Sequence, residues 1–129
     1  MEGVLLNRIL IIGGAGFIGL NLANYYKAKN YYVDIIDDFS RGKKDKFLLK
    51  VLNSKKVNFV NLDLSKQKLN FKRLKKNYHY IFQLAAILGV ENVLRKPFEV
   101  LKKNFNIQIN SLKIANLQKK YGAQILMSE

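Results

Sequence analysis

The chain has 129 residues, no cysteine, 23 basic and 9 acidic side chains, and a formal net charge of +14 at pH 7. This length predicts about one domain, and the absence of cysteine excludes a disulfide framework. The N-terminal sequence has no signal-peptide pattern, and no apolar run approaches the roughly 20 residues of a membrane span. We therefore expect a cytoplasmic protein that is not embedded in a membrane.

The strong positive charge has two interpretations. A continuous basic patch would indicate a nucleic-acid-binding surface, whereas lysines spread over all solvent-facing surfaces indicate only a lysine-rich composition. The lysines fall in short separate groups, such as "RGKKDK", "NSKKVN" and "RLKKNY", without an RNA-binding or helix-turn-helix signature. This spread favours the second interpretation, although a basic surface still suits small ligands that carry phosphate.

In chain order, five apolar runs alternate with longer amphipathic stretches. They predict strands at Arg8–Ile12, Tyr32–Asp37, 57–62, 80–84 and Gln124–Met127, and helices over 17–29, 45–52, 67–76 and 97–121. Four of the strands are continuous apolar runs, as expected for strands that are covered on both faces. The order β-α-β-α-β-α-β-α-β predicts a doubly wound parallel sheet of the Rossmann type, in one domain over residues 1–129.

Glycines are concentrated between the first strand and the first helix, in the stretch "GGAGFIG" of residues 13–19. Such a loop needs one glycine for the tight turn, one for close approach of a pyrophosphate, and Gly19 for close packing of helix on strand. The amides at the N-terminus of the helix, with its partial positive charge, then hold phosphate groups. The stretch is consistent with a dinucleotide site, and its position between strand and helix strengthens this interpretation.

The second strand ends at Asp37, about 20 residues beyond the glycines. A carboxylate at this point accepts hydrogen bonds from the adenosine ribose and favours NAD over NADP. An ordinary turn role for Asp37 and Asp38 is the alternative, and the basic residues that follow, from Arg41 to Lys44, would suit a 2′-phosphate. Asp63, after the third strand, is equally compatible with a place beside the adenine and with a turn or N-cap role.

The long helix over residues 97–121 begins at Pro97, ends at Tyr121 and carries two apolar stripes. Pro97 suits a first helical turn, and Gly122 is a natural stop after the helix. A helix that only covers a sheet needs one stripe, so the second predicts a further partner, either another subunit or a missing part of the same chain. We expect a homodimer through this helix. The stripes consist of Phe98, Leu101, Phe105, Ile109 and Leu112, and of Val100, Ile107 and Ile114.

Five segments together resemble one known family. "GGAGFIG", "DIIDDFSRG", "NLDLS", "IFQLAA" with "LGVENV", and "KPFEVLKKNFN" occur in the order and spacing of the extended short-chain dehydrogenase/reductases. The chain is most similar to their NAD-dependent sugar-nucleotide epimerases and dehydratases, including members like UDP-glucuronate decarboxylase and UDP-glucose 4-epimerase. The resemblance covers nearly all 129 residues. It departs from the family pattern where Gln83 replaces a usual histidine and where Ile107 and Gln108 replace Gly-Thr.

The resemblance implies a set of cofactor contacts. The pyrophosphate would lie against the glycine loop, the adenosine ribose against the end of the second strand, the adenine beside the residues that follow the third strand, and the rest of NAD against the end of the fourth strand. An asparagine of the long helix would support the active site. The implied residues are Gly13, Gly16, Phe17, Ile18 and Gly19, then Asp37, Asp38, Ser40 and Arg41, then Asp63 and Leu64, then Leu84, Ala85 and Ala86, and finally Asn104.

The family's catalysis, by resemblance, uses a Ser or Thr hydroxyl beyond the fifth strand and a Tyr-x-x-x-Lys on the next helix. Ser128 lies near the first position, and the only Tyr-x-x-x-Lys joins Tyr25 to Lys29 on the first helix. We therefore expect an N-terminal portion of an enzyme that binds NAD, with the substrate domain absent, no catalytic residue of its own and no metal site. A non-catalytic NAD(H)-binding regulatory module is the alternative, followed by a basic nucleic-acid-binding protein.

Overall fold

Five parallel strands form one sheet in the order β3-β2-β1-β4-β5. The computed structural model describes residues 7–38, 46–66, 69–74, 77–87, 90–118 and 124–127. The predicted strands are confirmed to within one residue at each end. Their bounds are Arg8–Ile12 for β1, Tyr32–Asp37 for β2, Val57–Asn61 for β3, Tyr80–Gln83 for β4 and Gln124–Met127 for β5.

Helices cover both faces of the sheet, which confirms the predicted doubly wound α/β fold. They are α1 (Phe17–Ala28), α2 (Lys46–Leu52), α3 (Val90–Arg95) and α4 (Pro97–Leu117). Alternate residues of β1 point to opposite faces, as the pleat of a strand requires. Leu10 and Ile12 join a core with Ile107 and Ile114 of α4. On the other face, the core consists of Ile9, Ile11, Ala15, Leu20, Ala23, Val33, Ile35, Leu48 and Val51.

Two features of the predicted element order are wrong. The helix predicted over 67–76 is not formed in its described part, residues 69–74, which make turns instead. Asn70 Oδ1 accepts a hydrogen bond from the Lys72 amide at 2.9 Å, a local side-chain bond that competes with helix formation. The short helix α3 between β4 and α4 was not predicted. It stops before Pro97, whose ring disfavours helical geometry at the preceding Lys96.

Helix α4 turns its two apolar stripes to different surroundings. Ile107 and Ile114 are buried against the sheet. Phe98 and Phe105 of the other stripe are 88% and 63% exposed, and Leu101, Ile109 and Leu112 also face solvent. The helix begins at Pro97 as predicted, and it ends at Leu117. Gly122, the predicted stop, lies outside the described residues.

At the amino end of the sheet, a buried ionic group joins four segments of the chain. Asp34 of β2 is fully buried, and its Oδ1 lies 3.1 Å from Nη1 of Arg8 on β1. The Tyr78 hydroxyl donates to Asp34 Oδ2 at 2.5 Å, and the Tyr78 amide donates to Gln118 Oε1 at 3.3 Å. This group fixes the sheet at the end opposite to the glycine loop.

Within the described ranges, none of the helices combines the length and apolar character that a membrane span requires.

Candidate functional site

The strand order places a ligand site at the carboxyl end of the sheet. The chain proceeds from β1 outward to β3 and then returns to β4 on the other side of β1. In open α/β sheets of this kind, ligands bind outside the carboxyl ends of the strands at the point where the strand order reverses. That point lies between β1 and β4. The loops after β1, β2, β3 and β4 all surround it.

The loop after β1 is held in a conformation that requires glycine. Gly13 has φ +81°, and its amide donates to the Ile36 carbonyl at 2.7 Å. A Cβ on Gly13 would lie 2.8 Å from the Ala85 amide nitrogen, and a Cβ on Gly19 would lie 2.5 Å from Gly14 Cα. Gly16 is different, because no atom lies within 4 Å of its ideal Cβ position. Gly13 and Gly19 therefore shape the loop, whereas Gly16 borders open space.

The space beside Gly16 fits a phosphate group. Helix α1 begins directly after Gly16, and no side chain among the described residues caps it. Its first turn contains no acidic residue, and Phe17 and Ile18 are 82% and 68% exposed. An uncapped helix N-terminus presents amide donors and a partial positive charge, which an anion can satisfy. The predicted pyrophosphate residues thus lie together at one open helix end.

Asp37 lies beside this helix end. It closes β2, is partly buried, and accepts a hydrogen bond from the Ala15 amide through Oδ2 at 2.9 Å. A carboxylate offers about four acceptor positions, so this bond is compatible with further bonds from ribose hydroxyls. Asp38 follows at an exposed position. Ser40 and Arg41, and the lysines that would suit a 2′-phosphate, lie outside the described residues.

The loop after β3 is organised by side chains of its own and of α4. Asp63 Oδ1 accepts hydrogen bonds from the Ser65 amide at 2.9 Å and the Ser65 hydroxyl at 2.6 Å, as a turn carboxylate does, while its contact with adenine stays a prediction. Asn110 donates to the Leu64 carbonyl at 2.8 Å. The Leu64 side chain is buried in the core, which leaves only its backbone for contact with an adenine.

The loop after β4 lies against the glycine loop. Leu84, Ala85 and Ala86 are partly buried there, and the Leu84 amide donates to the Ile12 carbonyl at 2.8 Å. Asn104 of α4 holds the end of this loop, since its Oδ1 accepts from the Ile87 amide at 2.7 Å. Its Nδ2 donates to the Ile87 carbonyl at 3.1 Å. The predicted supporting asparagine is therefore next to the predicted site.

One polar group near this loop has no partner among the described residues. Gln108 lies one helical turn after Asn104, and its Oε1 is buried without a hydrogen bond. A buried acceptor without a donor is unfavourable by about 1–3 kcal/mol.

The predicted hydroxyl, Ser128, lies outside the described residues. His79, the only histidine, lies at the amino end of the sheet, where its Nδ1 is 3.5 Å from the Arg8 amide.

The family assignment rests on the length of the match as well as on this geometry. The model of the NAD dependent epimerase/dehydratase family matches residues 9–127. The chain belongs to this family. The assignment confirms the resemblance stated above and, because the family is NAD-dependent, the predicted cofactor. The contacts of individual residues with NAD stay predictions.

Similar proteins include decarboxylases and epimerases of UDP-sugars. A UDP-N-acetyl-alpha-D-glucosaminuronate decarboxylase of Bacillus cytotoxicus is 34% identical over 113 residues. A putative UDP-glucose 4-epimerase of Methanocaldococcus jannaschii is 30% identical over 113 residues. Each match covers 88% of this chain but 34% of the relative. The chain thus spans about a third of the length of these relatives.

Solved structures give the same result for the fold. The UDP-glucose 4-epimerase of Thermotoga maritima, solved with UDP-glucose, superposes with a TM-score of 0.73 and 27% identity. The match covers 95% of this chain and 37% of that one. The Bifidobacterium longum enzyme, solved with NAD+ and UDP, has a TM-score of 0.76, 21% identity and the same coverage, and at that identity it supports the fold alone.

Proposed function

We propose that residues 1–129 are the NAD-binding domain of an enzyme that epimerises, dehydrates or decarboxylates a nucleotide sugar, and is therefore an isomerase or a lyase. The family match and the names of the relatives support the substrate class. The observation that carries the proposal is the uncapped N-terminus of α1 beside Gly16, with Asp37 bonded to the same loop.

Each part of the loop has a distinct task in this proposal. The amides that begin α1 bind the pyrophosphate, and Gly16 leaves room for its approach. Asp37, whose Oδ2 accepts a hydrogen bond from the Ala15 amide, also accepts hydrogen bonds from the hydroxyls of the adenosine ribose. The residues after β4 would hold the nicotinamide half, because dinucleotides bind across the switch point between β1 and β4. NAD, when bound, supplies reversible acceptance of a hydride from the sugar.

We infer that these 129 residues bind NAD without turning over a substrate. The Tyr25–Lys29 pair is unsuited to serve as a catalytic base, because it lies near the end of α1 that is farthest from the glycine loop. The Lys29 ammonium lies 4.8 Å from the centre of the Tyr25 ring on the surface. A hydrogen bond with Tyr25 raises the pKa of Lys29.

Calorimetric titration of the purified chain with NAD tests the proposal. We expect saturable binding of NAD and weaker binding of NADP, because the Asp37 carboxylate repels a 2′-phosphate. Asp37→Ala should weaken NAD binding about tenfold or more, since it removes a charged acceptor, and should narrow the preference for NAD over NADP. Glu91→Ala, which removes an exposed carboxylate on α3, is the matched control and should bind NAD like the wild type. A folded wild-type chain that binds neither dinucleotide would refute the proposal.

We also propose that two copies associate through the exposed stripe of α4. This stripe presents two phenylalanines, of which Phe98 is 88% and Phe105 is 63% exposed, on one side of a 21-residue helix. Large contiguous apolar surfaces on soluble domains tend to be covered by a partner. In a twofold dimer the same stripe is used on both copies.

Light scattering after size exclusion measures this association. The wild type should have the mass of a dimer, and Phe105→Lys should shift the mass to that of a monomer because a charge would be buried in the interface. Leu49→Lys changes an apolar side chain of α2 that is 56% exposed, and as the control it should leave the dimer intact. A wild type that stays monomeric at high concentration would rule out this dimer.

A further inference from the structure

The segment that follows β4, residues 84–87, is held by a side chain at each end. We call it the post-β4 segment. At its start, Gln83 Oε1 accepts a hydrogen bond from the Ala85 amide at 2.5 Å. At its end, Asn104 accepts from the Ile87 amide at 2.7 Å and donates to the Ile87 carbonyl at 3.1 Å. Backbone groups that would otherwise adapt to solvent or ligand are thereby fixed.

Gln83 is placed to hold its bond firmly. It is the last residue of β4, lies opposite Ile12 of β1 in the sheet, and is 2% exposed. A buried amide oxygen loses its water and is unfavourable unless a donor replaces that water. The Ala85 amide, two residues further along the chain, supplies this donor. The bond therefore determines the direction in which the chain leaves β4.

Ala85 also approaches the backbone of the glycine loop closely. A Cβ on Gly13 would lie 2.8 Å from Ala85 N and 2.9 Å from Ala85 Cα. The backbones of the two loops are therefore in direct contact, with no side chain between them. A shift of Ala85 changes the wall of the site on the β4 side of the switch point.

We propose that Gln83 is a positioning residue for the half of the dinucleotide site that lies over β4. Its amide oxygen fixes the post-β4 segment against Gly13, so that the wall meeting the nicotinamide half of NAD is already formed before binding. The adenosine half, which lies over β1, β2 and β3, does not depend on this bond. This inference rests on the proposed NAD site, and a ligand that lacks the nicotinamide half separates the two.

The experiment compares the affinities of NAD and ADP for three forms of the full 129-residue chain. Gln83→Met has nearly the same shape but removes both the amide acceptor and the amide donor. Gln83→Glu retains an acceptor oxygen in the same place, although it brings a carboxyl group to a position that is 2% exposed. Calorimetry gives both dissociation constants, and a thermal melt reports the fold. For Gln83→Met we expect about tenfold weaker NAD binding and less than about twofold change for ADP. Gln83→Glu should recover most of the NAD affinity.

Each other outcome overturns the inference. Unchanged NAD affinity in Gln83→Met would show that the bond does not shape the site, and an equal loss for ADP and NAD would show a role in the fold alone. A wild-type chain that binds NAD no more tightly than ADP also overturns the inference. A wild-type chain that binds neither ligand refutes the proposed function itself. Should Gln83→Met not fold, hydrogen exchange of the wild type decides, since an unprotected Ala85 amide contradicts the bond.

Discussion

Strand β2 carries two carboxylates, three positions apart, whose surroundings differ at the two ends of the sheet. Asp34, towards the amino end, is fully buried and meets Arg8 and Tyr78. Asp37, at the carboxyl end, is partly exposed and bonds to the Ala15 amide of the glycine loop. Asp34 has a guanidinium and a hydroxyl as partners within the fold, which indicates a structural role. Asp37 lies where a ligand can reach it, which suits a binding role.

The largest effect we expect is the loss of stability on removing Asp34. Asp34→Ala leaves the Arg8 guanidinium, whose side chain is only 14% exposed, without its counterion. Breaking a buried ion pair in this way costs about 3–5 kcal/mol of the free energy of unfolding. Urea denaturation measures this loss, and NAD affinity of the folded fraction should stay near that of the wild type.

Asp37→Ala should show the opposite pattern to Asp34→Ala, with a small loss of stability and a clear loss of NAD affinity. It removes the hydrogen bond from the Ala15 amide at a partly exposed position, so the free energy of unfolding should fall by only about 1 kcal/mol while NAD binding weakens. If Asp34→Ala impaired NAD binding more than stability, or Asp37→Ala did the reverse, the separation of structural and ligand-binding ends would be wrong.

The sequence predicts a role for only one of these two carboxylates. Both lie in "YVDIIDD", and the partners of Asp34 are distant, with Arg8 at a separation of 26 residues and Tyr78 at 44. The strand itself is predictable, because an uninterrupted apolar run with β-branched residues signals burial on both faces. Asp37 is predictable as well, because its distance from the glycines has a chemical reason. Asp34 depends on tertiary contacts alone.

The two halves of the candidate site also differ in how far the sequence predicts them. On the nucleotide side, Gly13 and Asp37 are residue types that the chemistry itself demands, and the sequence displays them. On the β4 side, Gln83 and Asn104 bind backbone groups, and nothing in the identity of Ala85 signals such a contact. The wrongly predicted helix over 67–76 has a related cause, since local side-chain bonds outweighed its helical apolar spacing.

A second, smaller difference in stability is expected between substitutions of two glycines, Gly19 and Gly16, at the carboxyl end of the sheet. A methyl on Gly19 would meet the Gly14 backbone, 2.5 Å from its Cα, so α1 would have to move away from the loop. We expect Gly19→Ala to lower the free energy of unfolding by about 1–3 kcal/mol, as overpacking does. Gly16→Ala meets no atom within 4 Å and should stay within about 0.5 kcal/mol of the wild type.

The two variants should rank in opposite orders for stability and for NAD binding. Gly16→Ala should be the more stable of the two but should bind NAD more weakly. The methyl of Gly16→Ala would occupy the space through which a phosphate approaches α1, so we expect about tenfold weaker NAD binding in a fully stable protein. Equal NAD affinity of Gly16→Ala and the wild type would place the pyrophosphate elsewhere. Thermal melts and calorimetry on the same samples make the comparison.

The smallest effect concerns an ion pair of nearly the same length as the one at Asp34 but in solvent. Glu99 Oε1 lies 2.9 Å from Lys103 Nζ on α4, against 3.1 Å for Arg8 and Asp34. Both side chains of the α4 pair are more than two-fifths exposed. Water therefore screens the charges and leaves little net gain over the separated side chains. We expect Glu99→Gln to change the urea midpoint at pH 7 by no more than the error of its measurement.

The pH dependence of this pair has a definite sign. The hydrogen bond from Lys103, followed by the charges of Lys103 and Lys96, lowers the pKa of Glu99. A carboxylate with a lowered pKa adds its small stabilisation above its ordinary pKa and loses it as the pH falls through the lowered value. Any difference between Glu99→Gln and the wild type should thus shrink on acidification and in high salt. A loss for Glu99→Gln as large as that for Asp34→Ala would mean that charge separation alone, and not burial, governs the strength of ion pairs in this fold.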